Sequence, residues 1–413
     1  METRSTSLKR VISSTSSASS AENFFPDFGR FLQRQYPLLQ KYGVLPSELL
    51  CSPHILLLPS SILPKIHSVV RAFHSLRDSP LYRERLKTNE PELLSFDPGN
   101  ESILMGYDFH LDEAGEPKLI EINTNASFSL IAQAMRDFQR LPPFADEHMR
   151  NKLQRSFENE LLLALGSRRP EGVAIMDENP EQQKLFVEFL MFQNLFESFG
   201  WPTSILRPSD IKYSSGRLTG PAGLKIDLVY NRDTDFTLQG KDREPVRAAY
   251  LQKKVCVSPN PHEYLLLADK SRLAEVSSDR VADLLPSELA TALDQYVPKC
   301  LDLNNVARPE EIWARRKSLF FKPKRMFGSK GAYRGSSISK KAFEQALSDG
   351  FIIQEYVPAP EIEITGDSSR KFKFDLRFYV YQSEIQLAVA RLYQGQVTNS
   401  QTLGGGFASV IFS

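Results

Sequence analysis

Two acids and an amide in this 413-residue chain have the spacing a metal site needs. Ile103, Met105, Tyr107 and Phe109 alternate with other residues, Asp112-Glu113-Ala114-Gly115-Glu116-Pro117 supplies a turn, and Leu119-Ile120-Glu121-Ile122-Asn123 follows. This is the pattern of a β-hairpin. With Ala114 and Gly115 at the centre of the turn, Asp108 falls directly opposite Glu121, and Asn123, two residues on, shares their face. Like charges set opposite each other destabilise a sheet, and a divalent cation between them reverses that effect. Carboxylate and amide oxygens are the ligand set of magnesium, which keeps waters and also binds nucleotide phosphates. Asp108, Glu121 and Asn123 are therefore the candidate metal ligands; the competing reading is a solvated hairpin whose acids face water.

A second constellation stands far along the chain. Phe320-Phe321-Lys322-Pro323 is an apolar strand with one lysine, followed by Lys324, Arg325, Gly328, Ser329, Lys330 and Gly331. Glycines let backbone N–H groups approach a polyphosphate, and Lys322 adds a point charge. The spacing is not that of a P-loop, and a basic surface loop is the alternative. Beyond it, Phe351-Ile352-Ile353-Gln354-Glu355-Tyr356-Val357 turns from apolar to polar and meets Pro358-Ala359-Pro360-Glu361. Such a strand can run beside an adenine and offer backbone groups to its edge, and Glu361 can accept from ribose hydroxyls.

The elements that must carry these residues form an α/β chain. Residues 1–22 are Ser/Thr-rich and read as a disordered tail. Residues 23–95 read mainly as helices broken by prolines, and 145–166 as another helix. Strand, helix and strand at 172–176, 181–199 and 203–206, with a further strand at 226–230, indicate a small parallel sheet; 207–224 is a connecting loop. Helices near 262–276, 285–297 and 339–348 and strands at 319–322, 351–357, 373–381 and 384–392 complete the chain, with Gly404-Gly405-Gly406 before a last apolar strand. The expected divisions are 23–168, 169–255 and 256–413.

Composition excludes other classes. Lys and Arg number 51 against 50 Asp and Glu, so no overall field draws in nucleic acid or an anionic membrane. Cys51, Cys256 and Cys300 lack the spacing of a zinc or redox motif, no apolar run approaches a membrane span, and the six histidines show no ligand spacing. Cytoplasmic location is the expectation.

Taken together, these pieces resemble the ATP-grasp superfamily. The hairpin, with thirteen residues from Asp108 to Glu121, is similar to the metal-binding end of D-alanine–D-alanine ligase. Ala268-Asp269-Lys270 and Phe321-Lys322-Pro323 with Gly328-Ser329-Lys330-Gly331 resemble that family's two phosphate lysines and phosphate loop. Gln354, Glu355, Tyr356 and Val357 resemble the adenine hinge, and Glu361 the ribose acid. Asp375-Leu376-Arg377, Arg391, Asn399 and the triple glycine resemble the late strands of ligases that add amino acids to peptides. The Glu-x-Asn strand ordinarily comes last; here it comes first, as in the circularly permuted eukaryotic glutathione synthetase, which Ala126-Ser127-Phe128 and Val229-Tyr230-Asn231-Arg232-Asp233 also resemble. Met326 stands where that synthetase has a metal-binding glutamate, and Ser258 where it has a lysine, so Lys253, Lys254 or Lys270 must substitute.

The resemblance implies a circularly permuted ATP-grasp fold with an inserted parallel-sheet substrate domain. It also implies ATP and Mg2+ as cofactors, and joining of a small-molecule or peptide carboxylate to an amine through an acyl phosphate. Lys270 and Lys322 would neutralise phosphate, and Arg391 or Arg377 would stabilise the oxyanion; a structural ion pair is the alternative for either arginine. Ser127, Asn399 and Gly404–Gly406 fall to the substrate side, the glycines otherwise being plain turn residues. Arg232 would grip a substrate carboxylate, or else pair with Asp233 or Asp235. A homodimer is the expected assembly. A small-molecule kinase and a non-catalytic nucleotide-binding protein are the rival functions.

Overall fold

The computed structural model describes residues 11–12, 23–87, 91–145, 147–324, 331–364, 370–396, 398–399 and 402–413. Of the expected disordered tail, only Val11 and Ile12 are among them, as a short strand paired with Leu56 and Ile55.

The metal-site hairpin forms where alternation placed it, as Met105–Leu111 and Pro117–Asn123. It lies at one edge of an eight-stranded sheet, beside Arg370–Tyr381, then Glu384–Tyr393, Gly406–Phe412, Cys51–Leu58 and Val11–Ile12; Glu361–Ile364 pairs with the start of Arg370–Tyr381. All pairings are antiparallel except Gly406–Phe412 with Cys51–Leu58. Cys51–Leu58 is a strand within 23–95, which was expected to be mainly helical. Its apolar run is buried on both faces of the strand, and such a run has no period to separate strand from helix.

The hairpin turn also differs from expectation. Pro117 lies across from Leu111, and the chain reverses through Asp112–Glu116, with Asp112 Oδ1 accepting from the Ala114 and Glu116 N–H groups. Gly115 takes φ +81° there, which suits glycine. The turn is thus one residue longer than a two-residue type. A bulge between Asp108 and Phe109 compensates, so Asp108 still faces Glu121.

A second sheet is wholly parallel, in the order Cys256–Ser258, Leu228–Asn231, Val173–Met176, Thr203–Leu206. Its outer strand Cys256–Ser258 comes from beyond residue 255, where this unit was expected to end. The expected loop 207–224 contains a small hairpin, Lys212–Ser214 with Arg217–Thr219. The third sheet is antiparallel, in the order Cys300–Asp302, Phe351–Glu355, Leu319–Pro323, Tyr333–Arg334.

Burial locks the layers together. Ile66, Val69 and Phe73 of the helix Ile62–Asp78 share a core with Tyr107, Phe109 and Ile122 of the hairpin. On the other side Phe157, Phe192, Phe196 and Tyr230 join the helices to the parallel sheet and reach Tyr379. The third sheet has a small core of its own around Phe321, Phe343 and Ile353. Its helix Lys340–Ser348 starts at Ser339, whose hydroxyl accepts from the Ala342 N–H at 3.1 Å. Among the described residues no helix is long and apolar enough to cross a membrane.

Candidate active site

A cleft of about 1020 Å³ lies where the three sheets meet. Asp108, Glu121 and Asn123 reach it from the hairpin, and Lys322 from the third sheet. The two distant constellations of the sequence therefore share one cavity, and they also touch. Lys322 Nζ donates to the carbonyl of Ile120, next to Glu121, and to Gln354 Oε1, both at 2.8 Å. Burial lowers the Lys322 pKa, and nearby Glu121 opposes the shift.

Cross-strand register builds a row of opposed charges on the cleft face that ends in a facing pair of acids. Arg391 lies opposite Asp375, Arg377 opposite Asp108, and Asp108 opposite Glu121. Arg377 clamps Asp108 with two bonds of 2.7 Å, Nε to Oδ1 and Nη2 to Oδ2. Arg391 bridges the row, donating from Nη2 to Asp108 Oδ2 at 2.8 Å and from Nε to Asp375 Oδ1 at 2.5 Å. Burial would push the Asp108 carboxyl up, but the two guanidiniums overcome it and hold the group well below the usual carboxylate range. Both expected arginines are thus ion-paired and also line the cleft.

This pairing changes what the acids can do. Both oxygens of Asp108 already accept from guanidinium groups, and Asn123 Nδ2 adds a contact to Oδ2 at 3.2 Å. Glu121 is freer, with Asn123 Nδ2 at 3.2 Å from Oε1. Among the described residues no group of three His, Cys, Asp or Glu side chains forms a metal cage. With the Asn123 amide turned over so that its oxygen replaces Nδ2 beside Glu121, the two side chains would make a partial ligand set. It fits magnesium, which takes one or two protein ligands and completes its shell with phosphate and water.

Lys270 lines the cleft directly after Tyr264–Ala268, which is wound as a π-helix. Burial lowers its pKa, with Glu121 and Asp269 opposing. Neither Lys253 nor Lys254 is in the lining; both are exposed, and Lys253 stands over the Phe96 ring. Ser258 belongs to a buried network away from the cleft, donating to Glu160 at 2.7 Å.

Gln354, Glu355, Tyr356 and Val357 all line the cleft, at and just past the end of Phe351–Glu355. Glu361 does not. It is exposed on its strand opposite Lys373, which does line the cleft. His110, given no role by its sequence context, lies in the lining, and its Nδ1 is 2.8 Å from the Val357 carbonyl. Gly328 and Ser329 lie outside the described residues; Gly331 is described, exposed and not in the lining.

On the side of the parallel sheet, Arg232 donates from Nη2 to the Ser127 hydroxyl at 2.6 Å and stands 5.2 Å from the Tyr230 ring. Among the described residues it forms no ion pair; Asp233 instead accepts from Arg243 at 2.7 Å. Asp177, Gln183 and the stacked pair Phe236 and Tyr264, with centroids 4.7 Å apart, join this wall. No sequence spacing signalled them, since they meet only through the sheet's topology.

Asn399 and Gly406 line the cleft, whereas Gly404 and Gly405 do not. The backbone these glycines admit is the protein's own. A Cβ on Gly406 would stand 2.6 Å from the Leu50 carbonyl, and the Gly404 carbonyl accepts from Ser52. This corrects the expectation that Gly404 and Gly405 bring substrate close to the backbone.

No family model matches the chain, and no curated protein matches it. Solved structures do. A glutathione synthetase-like effector from Globodera pallida, in its apo form, is 11% identical over 96% of this chain and 98% of that one, with a TM-score of 0.59. A putative gamma-glutamylcysteine synthetase from Methylobacillus flagellatus is 10% identical over 83% and 87%, with a TM-score of 0.48. D-alanyl-alanine synthetase A from Vibrio cholerae is 12% identical over 51% and 68%, with a TM-score of 0.30. The likeness to the effector shows the fold: the chain has the architecture of that glutathione synthetase-like protein.

Proposed function

We propose that the protein is an ATP-dependent carboxylate–amine ligase that forms an amide bond through an acyl phosphate. The observation that carries this reading is the single cleft lined by Glu121 and Asn123, Lys270 and Lys322, the strand end Gln354–Val357, and Arg377 and Arg391. The hinge and lysines bind nucleotide, and the Arg232 side holds the acid to be activated. In this reading residues 23–168 and the chain beyond the strand Cys256–Ser258 form the nucleotide-binding core, in permuted order, and 169–255 with that strand the substrate domain.

The chain's part in the reaction is positioning and charge neutralisation. Lys270 and Lys322 neutralise phosphate oxygens from two sides, and their lowered pKa values reflect the dry environment in which a cation acts most strongly. Glu121 and Asn123 would hold magnesium, which when bound would supply charge neutralisation at the phosphates. Asp108 we assign to fixing Arg377 and Arg391 rather than to the metal. Arg391 faces the carboxylate as its oxygen takes the γ-phosphoryl group from ATP, releasing ADP. It then stabilises the oxyanion formed when the amine nitrogen attacks the acyl carbon. Phosphate leaves with the C–O electron pair, and the amine loses a proton. Arg232 and Ser127 orient the acid by its carboxylate, the planar guanidinium being matched to that group.

The test is incubation of the protein with magnesium, ATP and a pool of amino acids, γ-glutamyl dipeptides and polyamines, followed by mass spectrometry. The expected product is an acid and an amine joined with loss of water, with phosphate release that depends on the amine. A phosphorylated small molecule formed without any amine would replace the reading by a kinase, and ATP binding without turnover would replace it by a nucleotide-binding protein.

A further inference from the structure

The end of the cleft farthest in character from the charged row is apolar, and its wall is built from three separate parts of the chain. Leu50 precedes the strand Cys51–Leu58, Leu185 and Phe189 lie one turn apart at the start of the helix Phe186–Ser198, and Phe407 opens the last strand; all four line the cleft. The wall is held in place. The Phe407 N–H donates to the Leu50 carbonyl at 2.8 Å, and the Phe407 ring stacks on Phe128 at 3.9 Å and 9°. Glu188, buried between Leu185 and Phe189, accepts from the Phe128 N–H at 2.6 Å and the Leu130 N–H at 3.0 Å. That carboxylate ties the helix to the loop that carries Ser127, so the apolar wall and the Arg232–Ser127 pair are fixed relative to each other.

With the adenine assigned to the strand end Gln354–Val357 and the phosphates to the lysines, this wall is left to the other substrate, and apolar walls facing an open cleft favour an apolar group that displaces their water. We infer that the substrate held beside Arg232 and Ser127 carries a large apolar side chain, of the leucine or phenylalanine kind, which packs against Leu50, Leu185, Phe189 and Phe407. This rests on the ligase reading only in taking the Arg232 side as the substrate side. The occupant is a free amino acid or short peptide rather than one ending in glycine or an acid.

Calorimetry on the full chain with magnesium and a non-hydrolysable ATP analogue tests this, with Gly-Leu, Gly-Phe, Gly-Gly and Gly-Asp and the free amino acids leucine, phenylalanine and glycine as probes. Leucine- and phenylalanine-bearing probes are expected to bind at least about 10-fold more tightly than their glycine and aspartate counterparts. Leu185→Glu is expected to abolish that preference while the affinity for the ATP analogue stays unchanged. Equal or tighter binding of the glycine or aspartate probes, no binding of any apolar probe at millimolar concentration, or a preference that survives in Leu185→Glu would each overturn the inference. The two readings fail separately. Amide formation without apolar preference leaves the ligase and removes the pocket, whereas selective binding without turnover with any amine leaves the pocket and removes the ligase.

Discussion

The two walls of the cleft hold their charges in different ways. On the eight-stranded sheet Arg391, Asp375, Arg377, Asp108 and Glu121 stand in register on neighbouring strands, and each guanidinium is fixed by a carboxylate before anything binds. The third sheet is smaller; one face has its own core, the other joins the main core through Ile352 and Cys300, and its polar links to the first sheet are Lys322 to the Ile120 carbonyl, Gln354 to the Leu119 carbonyl and His110 to the Val357 carbonyl. One wall is preorganised, in the sense that its dipoles and charges need no rearrangement when charge develops on a substrate. The other is fastened by few bonds. In the proposed ligase, which would have to admit and release a nucleotide, that inequality would be of use.

The comparison predicts its own order of sensitivity. Asp108→Ala should cost most, because it leaves two buried guanidiniums side by side without their shared counter-charge; a loss of about 3–5 kcal/mol in urea denaturation is expected. A stable variant with altered activity alone would mean that the row is not preorganised. Glu121→Gln should leave the fold intact by circular dichroism and lower turnover by on the order of 10³-fold. Wild-type activity at saturating ATP would remove the metal assignment. On the other wall, Lys322→Ala should weaken ATP binding by roughly 10-fold in calorimetry, about the worth of one charge-assisted contact, with a smaller stability change than Asp108→Ala.

The smallest effect lies outside both walls. Glu160 is buried, and burial pushes its carboxyl up to about 7 although Asn100, Ser258 and Tyr381 bond to it. Its folded-state pKa therefore exceeds its unfolded value, so the folded protein binds the proton more tightly. The stability Glu160 contributes is complete below about pH 4.5 and is lost as pH rises through about 7. Denaturation midpoints at pH 5.5 and 8.0 should differ by on the order of 1 kcal/mol in favour of the acid side, and Glu160→Gln should flatten that slope.

What the sequence could reveal follows from the range of the forces involved. The hairpin was legible because alternation and turn residues are local. Even its facing pair was anticipated correctly, although through a turn one residue too short, with the bulge at Asp108 making up the difference. The lysine strand was legible for the same reason. The charged row was not, because Arg377 and Arg391 meet Asp108 only through the register of strands far apart in sequence. Cys51–Leu58 was hidden because burial on both faces erases periodicity. Glu361 lies outside the lining while Lys373 opposite it lies inside, a distinction that no local pattern in the sequence carries.

The parallel pairing of Cys51–Leu58 with Gly406–Phe412 has a bearing on how the molecule is made. The bonds from the Ser60 N–H to the Ser413 carbonyl and from the Ser413 N–H to the Leu58 carbonyl join segments separated by nearly the whole sequence. On a ribosome, the early strand has no partner on that side until the last strand has left the exit tunnel. An apolar edge is therefore exposed while the residues between the two strands are made, and closing so long a loop makes this a slow step of folding.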